Sequence, residues 1–155
     1  MKHGFVTVAA ASPRIRVADC VFNAQQVLDA AHSAAGAGAE IICFPELCLT
    51  GYTCGDLFLQ QTLQEGALDA LRTVAQGTAK LDALLCVGLP LLHGTKLYNT
   101  AAVLQKGRVL GFVPKTFLPN YAEFYEKRHF EPAFADVRSV QFDGQSVPFG
   151  TKLLF

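Results

Sequence analysis

Three short apolar runs, separated by two stretches of helical periodicity, constrain this chain more than any other feature of its sequence. Residues 4–11, 40–44 and 83–89 are apolar at successive positions, which predicts strands buried on both faces, the first of them central in a sheet. Strands of this kind belong to sheets that carry helices on their faces. The sequence therefore predicts an α/β fold.

Two helices fill the spaces between these runs. Asp19 is a candidate N-cap for the first helix, and Gly36 and Gly38 close it. Its apolar face is predicted to contain Val21, Ala24, Leu28, Ala31 and Ala35. The second helix ends near Gly77. Its apolar face is predicted to contain Leu63, Ala67, Leu71 and Val74.

After the third strand the pattern predicts a hairpin. Residues 97–104 and 108–113 flank a Lys106-Gly107 turn, and glycine supplies the positive φ that tight turns need. The segment 114–134 is aromatic and irregular, and residues 147–155 begin another strand. The sequence is still apolar at Phe155, whereas domain boundaries fall in polar, flexible segments. We therefore expect that the chain is cut inside a domain.

The composition excludes several classes of function. Hydrophobic residues make up 51% of the 155 residues and charged residues 17%, which is typical of a globular protein and not of a disordered one. The 13 basic and 13 acidic side chains balance, so neither nucleic acid nor an anionic membrane is an expected partner. Residues 1–11 resemble a first strand more than a signal peptide. No apolar run approaches the ~20 residues of a membrane span.

The five cysteines form no regular disulfide framework, so we expect reduced thiols and a cytoplasmic protein. Cys43, Cys48 and Cys54 do not have the spacing of zinc or iron–sulfur ligands, and we predict that they are buried thiols and that the chain binds no metal. A phosphate-binding loop and a dinucleotide fingerprint are both missing from the sequence. No cofactor is therefore expected within this chain.

Two charged residues stand where catalysis is common in α/β sheets. Glu46 directly follows the second strand, and open α/β sheets bind ligands beyond the carboxyl ends of their strands, so this carboxylate is a candidate general base. Lys115 lies between prolines and apolar residues, and an ammonium held there could stabilise an oxyanion. The alternatives are a helix-capping or solvated glutamate and a surface lysine with a buried stem.

A third feature is the aromatic segment 120–130 (NYAEFYEKRHF). Its tyrosines, phenylalanines and glutamates could line a pocket for a polar, amide-bearing ligand. The segment could equally be a helix that packs its aromatic face on the core. Glu126 is only two positions from Arg128, too close in sequence for a helical ion pair.

Taken together, these segments resemble a known family. Residues 44–52 (FPELCLTGY) resemble the first signature of the nitrilase, or carbon–nitrogen hydrolase, superfamily, and residues 114–119 (PKTFLP) resemble the second. The continuation 53–58 (TCGDLF) and the segment 121–130 are similar to the glutaminase domains of glutamine-dependent NAD synthetases. The resemblance covers almost the whole chain in the same order. It implies a nitrilase-like α-β-β-α sandwich, present here only as its N-terminal part.

In that family a Glu–Lys–Cys set hydrolyses the side-chain amide of glutamine. Glu46 matches the general base, and Lys115 matches the residue that stabilises the tetrahedral intermediate. The positions that line or support the glutamine pocket are matched by Tyr52, Tyr121, Phe124 and Glu126. The resemblance also implies that ammonia passes to a C-terminal synthetase domain, absent from this chain, which uses ATP and Mg to convert nicotinic acid adenine dinucleotide to NAD.

One departure from the family pattern is large. The family's nucleophilic cysteine follows the lysine, whereas all five cysteines here precede Lys115. We therefore expect a chain that has been shortened, in its gene or in its expression, and that is inactive by itself, with uncovered sheet surface that favours homo-oligomers. Two alternatives stay open: a stand-alone amidase of the same superfamily, and a non-catalytic α/β module that kept the scaffold without the cysteine.

Overall fold

A computed structural model describes residues 4–155. Of residues 1–11, which resemble a first strand, the first three therefore lie outside the described part of the chain. The elements are, in chain order, β1 (Val8–Ala10), α1 (Cys20–Gly36), β2 (Ile41–Cys43), a 3₁₀ helix (Gly55–Leu59), α2 (Gln61–Gly77), β3 (Leu84–His93), β4 (Lys96–Gln105), β5 (Arg108–Pro114), α3 (Glu126–His129), β6 (Arg138–Phe142) and β7 (Gln145–Phe149).

Within residues 4–155 the strands form one seven-stranded sheet in the order β1-β2-β3-β4-β5-β7-β6. The first three strands are parallel, β3, β4 and β5 are antiparallel neighbours, and β7 runs parallel to β5. This mixed sheet with crossover helices confirms the predicted α/β class. The predicted succession of strand, helix, strand, helix, strand and hairpin is also confirmed.

Helices α1 and α2 pack on each other and cover one face of the sheet, which we call the helix face. Ile42, Val87 and Leu89 point to this face and are completely buried. The predicted N-cap is confirmed, because the Asp19 carboxylate accepts a hydrogen bond from the Phe22 amide at 3.0 Å. Side chains at alternate positions, such as Cys43 and its register partner Cys86, point to the opposite side, which we call the open face.

Three expectations about burial are wrong. The run 4–11 is not a central strand: β1 has only three residues, lies at the edge of the sheet and leaves Val8 67% exposed. Val21 is 84% exposed, because it lies beside the apolar stripe of α1 that faces α2 and the sheet. Cys43 is exposed rather than buried, because it points to the open face, which α1 and α2 do not cover.

The predicted turn at Lys106-Gly107 is confirmed, and both residues have positive φ, 50° and 77°. Two further hairpins were not foreseen. Strand β3 continues to His93 and turns back into β4 through Gly94, and β6 turns into β7 through Asp143 and Gly144. The last strand is also shorter than the apolar run 147–155, since β7 ends at Phe149.

Candidate active site

Glu46 lies in a loop that rests directly on strand β3. The contact depends on Gly88, because a Cβ atom there would lie 2.4 Å from the Leu47 nitrogen and 2.6 Å from the Pro45 oxygen. The loop is tied to the same strand by hydrogen bonds from Phe44 to Cys86 O and from Leu49 to Gly88 O. Glu46 is therefore held above the open face at the end of β2.

Lys115 directly follows β5 and is fixed through its backbone on both sides. Its amide donates to Asn99 O at 2.8 Å, and its carbonyl accepts from the Ala133 amide at 3.0 Å. The side chain reaches the loop after β2, where Lys115 Nζ lies 2.6 Å from Glu46 Oε2. The two predicted catalytic residues, 69 positions apart in sequence, are thus in direct contact.

Glu126 is the second carboxylate that contacts the lysine. Its Oε1 atom lies 2.8 Å from Lys115 Nζ and accepts a hydrogen bond from the Tyr52 hydroxyl, also at 2.8 Å. Its side chain is only 4% exposed, and Glu126 is the first residue of the four-residue helix α3. We call Glu46, Lys115, Glu126 and Tyr52 the carboxylate–lysine cluster.

The charges of the cluster determine what its lysine and tyrosine can do. Burial works to lower the pKa of Lys115, but hydrogen bonds to Glu126 and Glu46 and their charges outweigh it, so the pKa is raised above the ordinary lysine value. The pKa of Tyr52 is also raised, by burial and by its hydrogen bond to the Glu126 carboxylate. At neutral pH Lys115 is therefore an ammonium and Tyr52 a neutral donor, and neither is a base.

A cavity of about 270 Å³ opens beside the cluster on the open face. It is lined by Phe44, Glu46, Cys86, Gly88, Asn99, Thr100, Ala101, Val113, Pro114 and Lys115. A ligand in this cavity touches both the carboxylate and the ammonium. A larger cavity of about 500 Å³ lies between α1 and α2, but its lining is mainly apolar and includes no member of the cluster, so it is not the candidate site.

The other two predicted pocket residues stand apart from the cluster. Tyr121 and Phe124 form an edge-to-face ring pair with centroids 5.7 Å apart, and neither lines the 270 Å³ cavity. Tyr121 is 69% exposed. Their role in glutamine binding stays a prediction. The segment around them is not a long helix on the core, since only Glu126–His129 is helical.

Two neighbours of the cluster were not singled out from the sequence. Asp56 accepts hydrogen bonds from Arg128 at 2.8 Å through both of its oxygens and contacts His129 at 3.0 Å, which links the 3₁₀ helix to α3. Arg128, followed by His129, holds the pKa of Asp56 well below its usual range. The second neighbour is Asn99. The sequence feature that could have indicated it is its polar side chain within a strand whose neighbouring residues are mostly buried.

Cys48, Cys54 and Cys86 lack the properties of an activated nucleophile. Burial raises the pKa of Cys48 to about 12, and it also raises the pKa of Cys54. Cys86 lines the cavity, but burial and then the neighbouring Cys43 raise its pKa to about 11. Reactive thiols require a lowered pKa.

Within residues 4–155, no group of three or more histidine, cysteine, aspartate or glutamate side chains is arranged to hold a metal ion. Over the same residues, no helix combines the length and the apolar character needed to cross a membrane.

The chain matches known proteins along nearly its whole length. The carbon–nitrogen hydrolase family matches residues 7–153. The glutamine-dependent NAD(+) synthetase of Mycobacterium tuberculosis is 44% identical over 154 residues, which are 99% of this chain and 23% of that protein. The enzyme of the same name from Mycobacterium leprae is 38% identical over 152 residues, 98% of this chain and 22% of that protein. The chain thus spans about a quarter of the length of these relatives.

Solved structures agree in fold. A glutamine-dependent NAD(+) synthetase from Cytophaga hutchinsonii matches with a TM-score of 0.88 and 32% identity, over 94% of this chain and 25% of that one. An amidase from Nesterenkonia sp. matches with a TM-score of 0.71 and 24% identity, over 96% of this chain and 56% of that one. At that identity the second match bears on the fold alone.

Proposed function

This chain belongs to the carbon–nitrogen hydrolase family, and from that premise we propose that it supplies the general base and the ammonium of a glutamine-hydrolysing site in a glutamine-dependent NAD(+) synthetase. The family resemblance inferred from residues 44–52 and 114–119 is confirmed. Beyond the family, we propose that glutamine is the substrate and that the parent enzyme is the synthetase.

The single observation that carries the proposal is the position of Lys115 Nζ, 2.6 Å from Glu46 and 2.8 Å from Glu126 beside one cavity. Glu46 is the residue we assign as the base that takes a proton from a thiol. Lys115 is assigned to stabilise the negative charge that develops on the amide oxygen. Glu126, which accepts a hydrogen bond from the Tyr52 hydroxyl, is the second carboxylate that holds the ammonium.

The reaction that suits these groups is acyl transfer through a thioester. A thiol loses its proton to Glu46 and attacks the carboxamide carbon of glutamine, the C–N bond breaks, and ammonia leaves with the proton. Water then hydrolyses the glutamyl thioester to glutamate. Because all five cysteines precede Lys115, whereas the family's nucleophile follows the lysine, and none of them belongs to the carboxylate–lysine cluster, we assign the nucleophile to residues beyond this chain. We infer that the 155 residues by themselves do not hydrolyse glutamine.

The ammonia would be used by a separate synthetase part of the parent enzyme, where ATP and Mg activate nicotinic acid adenine dinucleotide for amidation to NAD. No step involving ATP is assigned to the residues described here. We also infer a cytoplasmic setting from the free, unpaired cysteines. The stand-alone amidase is less favoured, because the 44% identity to a synthetase extends over 99% of the chain.

A chimera tests the proposal. Residues 1–155 are joined to the remaining part of the Mycobacterium tuberculosis relative, and ammonia and glutamate are measured with glutamine as substrate. We expect hydrolysis that falls by roughly a hundredfold or more in Glu46→Gln and in Lys115→Ala. Glu65→Gln, on the exposed side of α2, is the matched control and should keep full activity.

Two results would overturn the proposal. One is a chimera whose glutamine hydrolysis is unaffected by Glu46→Gln. The other is glutamine hydrolysis by the 155-residue chain itself that survives Glu46→Gln. Sequencing the gene beyond codon 155 distinguishes the proposed function from the non-catalytic alternative. The alternative requires a residue other than cysteine at the position of the nucleophile.

A further inference from the structure

Asn99 shares the face and the cavity of the candidate site. It lies in β4 opposite Pro90 of β3, two positions from the pair formed by Gly88 and Ala101, and directly opposed residues of antiparallel strands point to the same face. Gly88 is the residue on which the Glu46 loop rests, so Asn99 also points to the open face. The residue lines the 270 Å³ cavity together with Glu46 and Lys115.

The backbone couples Asn99 to Lys115. The Lys115 amide donates to Asn99 O at 2.8 Å, which continues the β4–β5 pairing by one residue beyond Pro114. The two residues are therefore adjacent across the strands. A ligand that approaches the Lys115 ammonium in this cavity also approaches the Asn99 amide.

The Asn99 amide group is the unusual feature of this cavity. The residue is only 3% exposed, and its Nδ2 atom has no hydrogen-bond partner within residues 4–155. Buried polar atoms are hydrogen-bonded in the great majority of cases, because a buried donor without a partner destabilises the fold. By contrast, buried Asn23 donates to Arg16 O at 2.8 Å and to Leu49 O at 3.2 Å.

We propose that Asn99 Nδ2 donates a hydrogen bond to the carbonyl oxygen of the substrate's primary carboxamide. The inference rests on the proposed function and adds a residue to it. A carbonyl oxygen has two lone pairs, so it can accept from the neutral Asn99 donor as well as from the Lys115 ammonium. Asn99 then positions the carboxamide carbon before attack, and its donor gains the partner that the protein does not supply.

This role differs from a structural one in its effect on stability. A structural asparagine stabilises the fold, as the hydrogen bonds of Asn23 indicate. An asparagine kept for a ligand costs stability, since its buried donor is unpaired. Asn99→Leu has a similar volume and removes the donor. It should keep or raise the melting temperature of the ligand-free chain while weakening carboxamide binding.

The experiment uses the 155-residue chain, with propionamide as the probe. Side-chain amide resonances are recorded by ¹⁵N NMR, and the Asn99 signal is assigned by its loss in Asn99→Leu. We expect propionamide to shift the Asn99 signal and to bind roughly tenfold or more weakly to the variant. The matched control Asn23→Leu should lower the melting temperature, whereas Asn99→Leu should not.

The outcomes separate this inference from the function on which it rests. If propionamide shifts the backbone amide signals of Glu46 and Lys115, recorded in the same ¹⁵N spectra, but not the side-chain signal of Asn99, the inference fails and the proposed site stands. If none of the three shifts, both fail. A melting temperature that falls in Asn99→Leu as far as in Asn23→Leu also overturns the inference, because it assigns Asn99 a structural role.

Discussion

Lys115 is the residue on which the proposed chemistry depends most directly. It is a cation between two carboxylates, one on the loop after β2 and one at the start of α3. Its charge therefore cancels part of a repulsion that would otherwise separate Glu46 from Glu126. A lysine in this position is strongly favoured as an ammonium, which is the form that can stabilise an oxyanion.

The raised pKa of Lys115 gives a prediction for Glu126→Gln. The substitution removes one of the two negative partners, so the pKa of the Lys115 amine should fall relative to the wild type. A ¹³C NMR titration of the lysine ε-carbons measures this change, with the Lys115 signal identified by its absence in Lys115→Met. A wild-type midpoint at or below the ordinary lysine value of about 10.4 would contradict the prediction.

The same shift determines the sign of the pH dependence of stability. The pKa of Lys115 is higher in the folded chain than in the unfolded chain. Its contribution to the free energy of unfolding is therefore fully present at pH values below the pKa of the unfolded state. The contribution is lost as pH rises through the pKa of the folded state. Denaturant unfolding at increasing alkaline pH should show this loss in the wild type, and a smaller loss in Glu126→Gln.

At the scale of elements, the site depends on how closely a loop approaches a strand. The Glu46 loop touches β3 at Gly88, where a side chain of any size would meet the backbone of residues 45–47. The second element is α3, which is too short to be stable by itself and is held to the 3₁₀ helix by the pairs of Asp56. The loop positions Glu46, and α3 positions Glu126.

Gly88→Ala should therefore disturb the site through the fold. The added methyl group cannot avoid backbone atoms at 2.4 to 2.8 Å, so the loop must move away from β3. We expect a loss of about 1–3 kcal/mol in the free energy of unfolding, measured with denaturant. Gly36→Ala is the matched control, because a Cβ atom there meets nothing within 4 Å, and its stability should be unchanged or slightly higher. Equal stabilities of the two variants would refute the close approach.

Asp56→Asn should loosen α3 while the rest of the fold persists. The neutral amide loses the paired contacts with Arg128 and His129, so the amide protons of residues 126–130 should exchange with solvent faster. Hydrogen exchange measured by NMR checks this expectation. The control is Asp136→Asn, which breaks a comparable exposed pair with Arg138 at the start of β6 and should leave exchange in α3 unchanged.

On the scale of the whole molecule, several large apolar side chains are exposed on the surface of the described fold. Phe5, Val8 and Phe117 are exposed by 79%, 67% and 87%. Strand β1 pairs only with β2 within residues 4–155, and an unpaired strand edge is a template for association. Homo-oligomerisation stays a prediction for this chain.

Val8→Lys should reduce self-association, because a lysine on an edge strand opposes strand pairing between molecules. Sedimentation velocity over a range of concentrations measures the effect. Val21→Lys, at a position that is 84% exposed on α1, is the control for adding a charge without altering the sheet edge, and it should leave association unchanged. A wild-type chain that stays monomeric at high concentration would contradict the prediction.

The order of elements and the family were determined by the sequence itself. Local periodicity distinguishes strands from helices because it reflects side chains that are near neighbours in the chain, and α1 and α2 begin and end close to where their patterns predict. The hairpins through Gly94 and Asp143 were missed, because apolar runs do not indicate how far a strand continues beyond them. Glu46 and Lys115 were identified from their places after strands and from the two short motifs.

Only the tertiary structure decided which distant residues meet. Tyr52 and Glu126 are 74 positions apart and share a hydrogen bond, and Asn99 enters the cavity only because β4 lies between β3 and β5. The exposure of Cys43 likewise depends on which face of the sheet the helices cover. Such contacts follow from the packing of whole elements against one another, so no local pattern of residues encodes them.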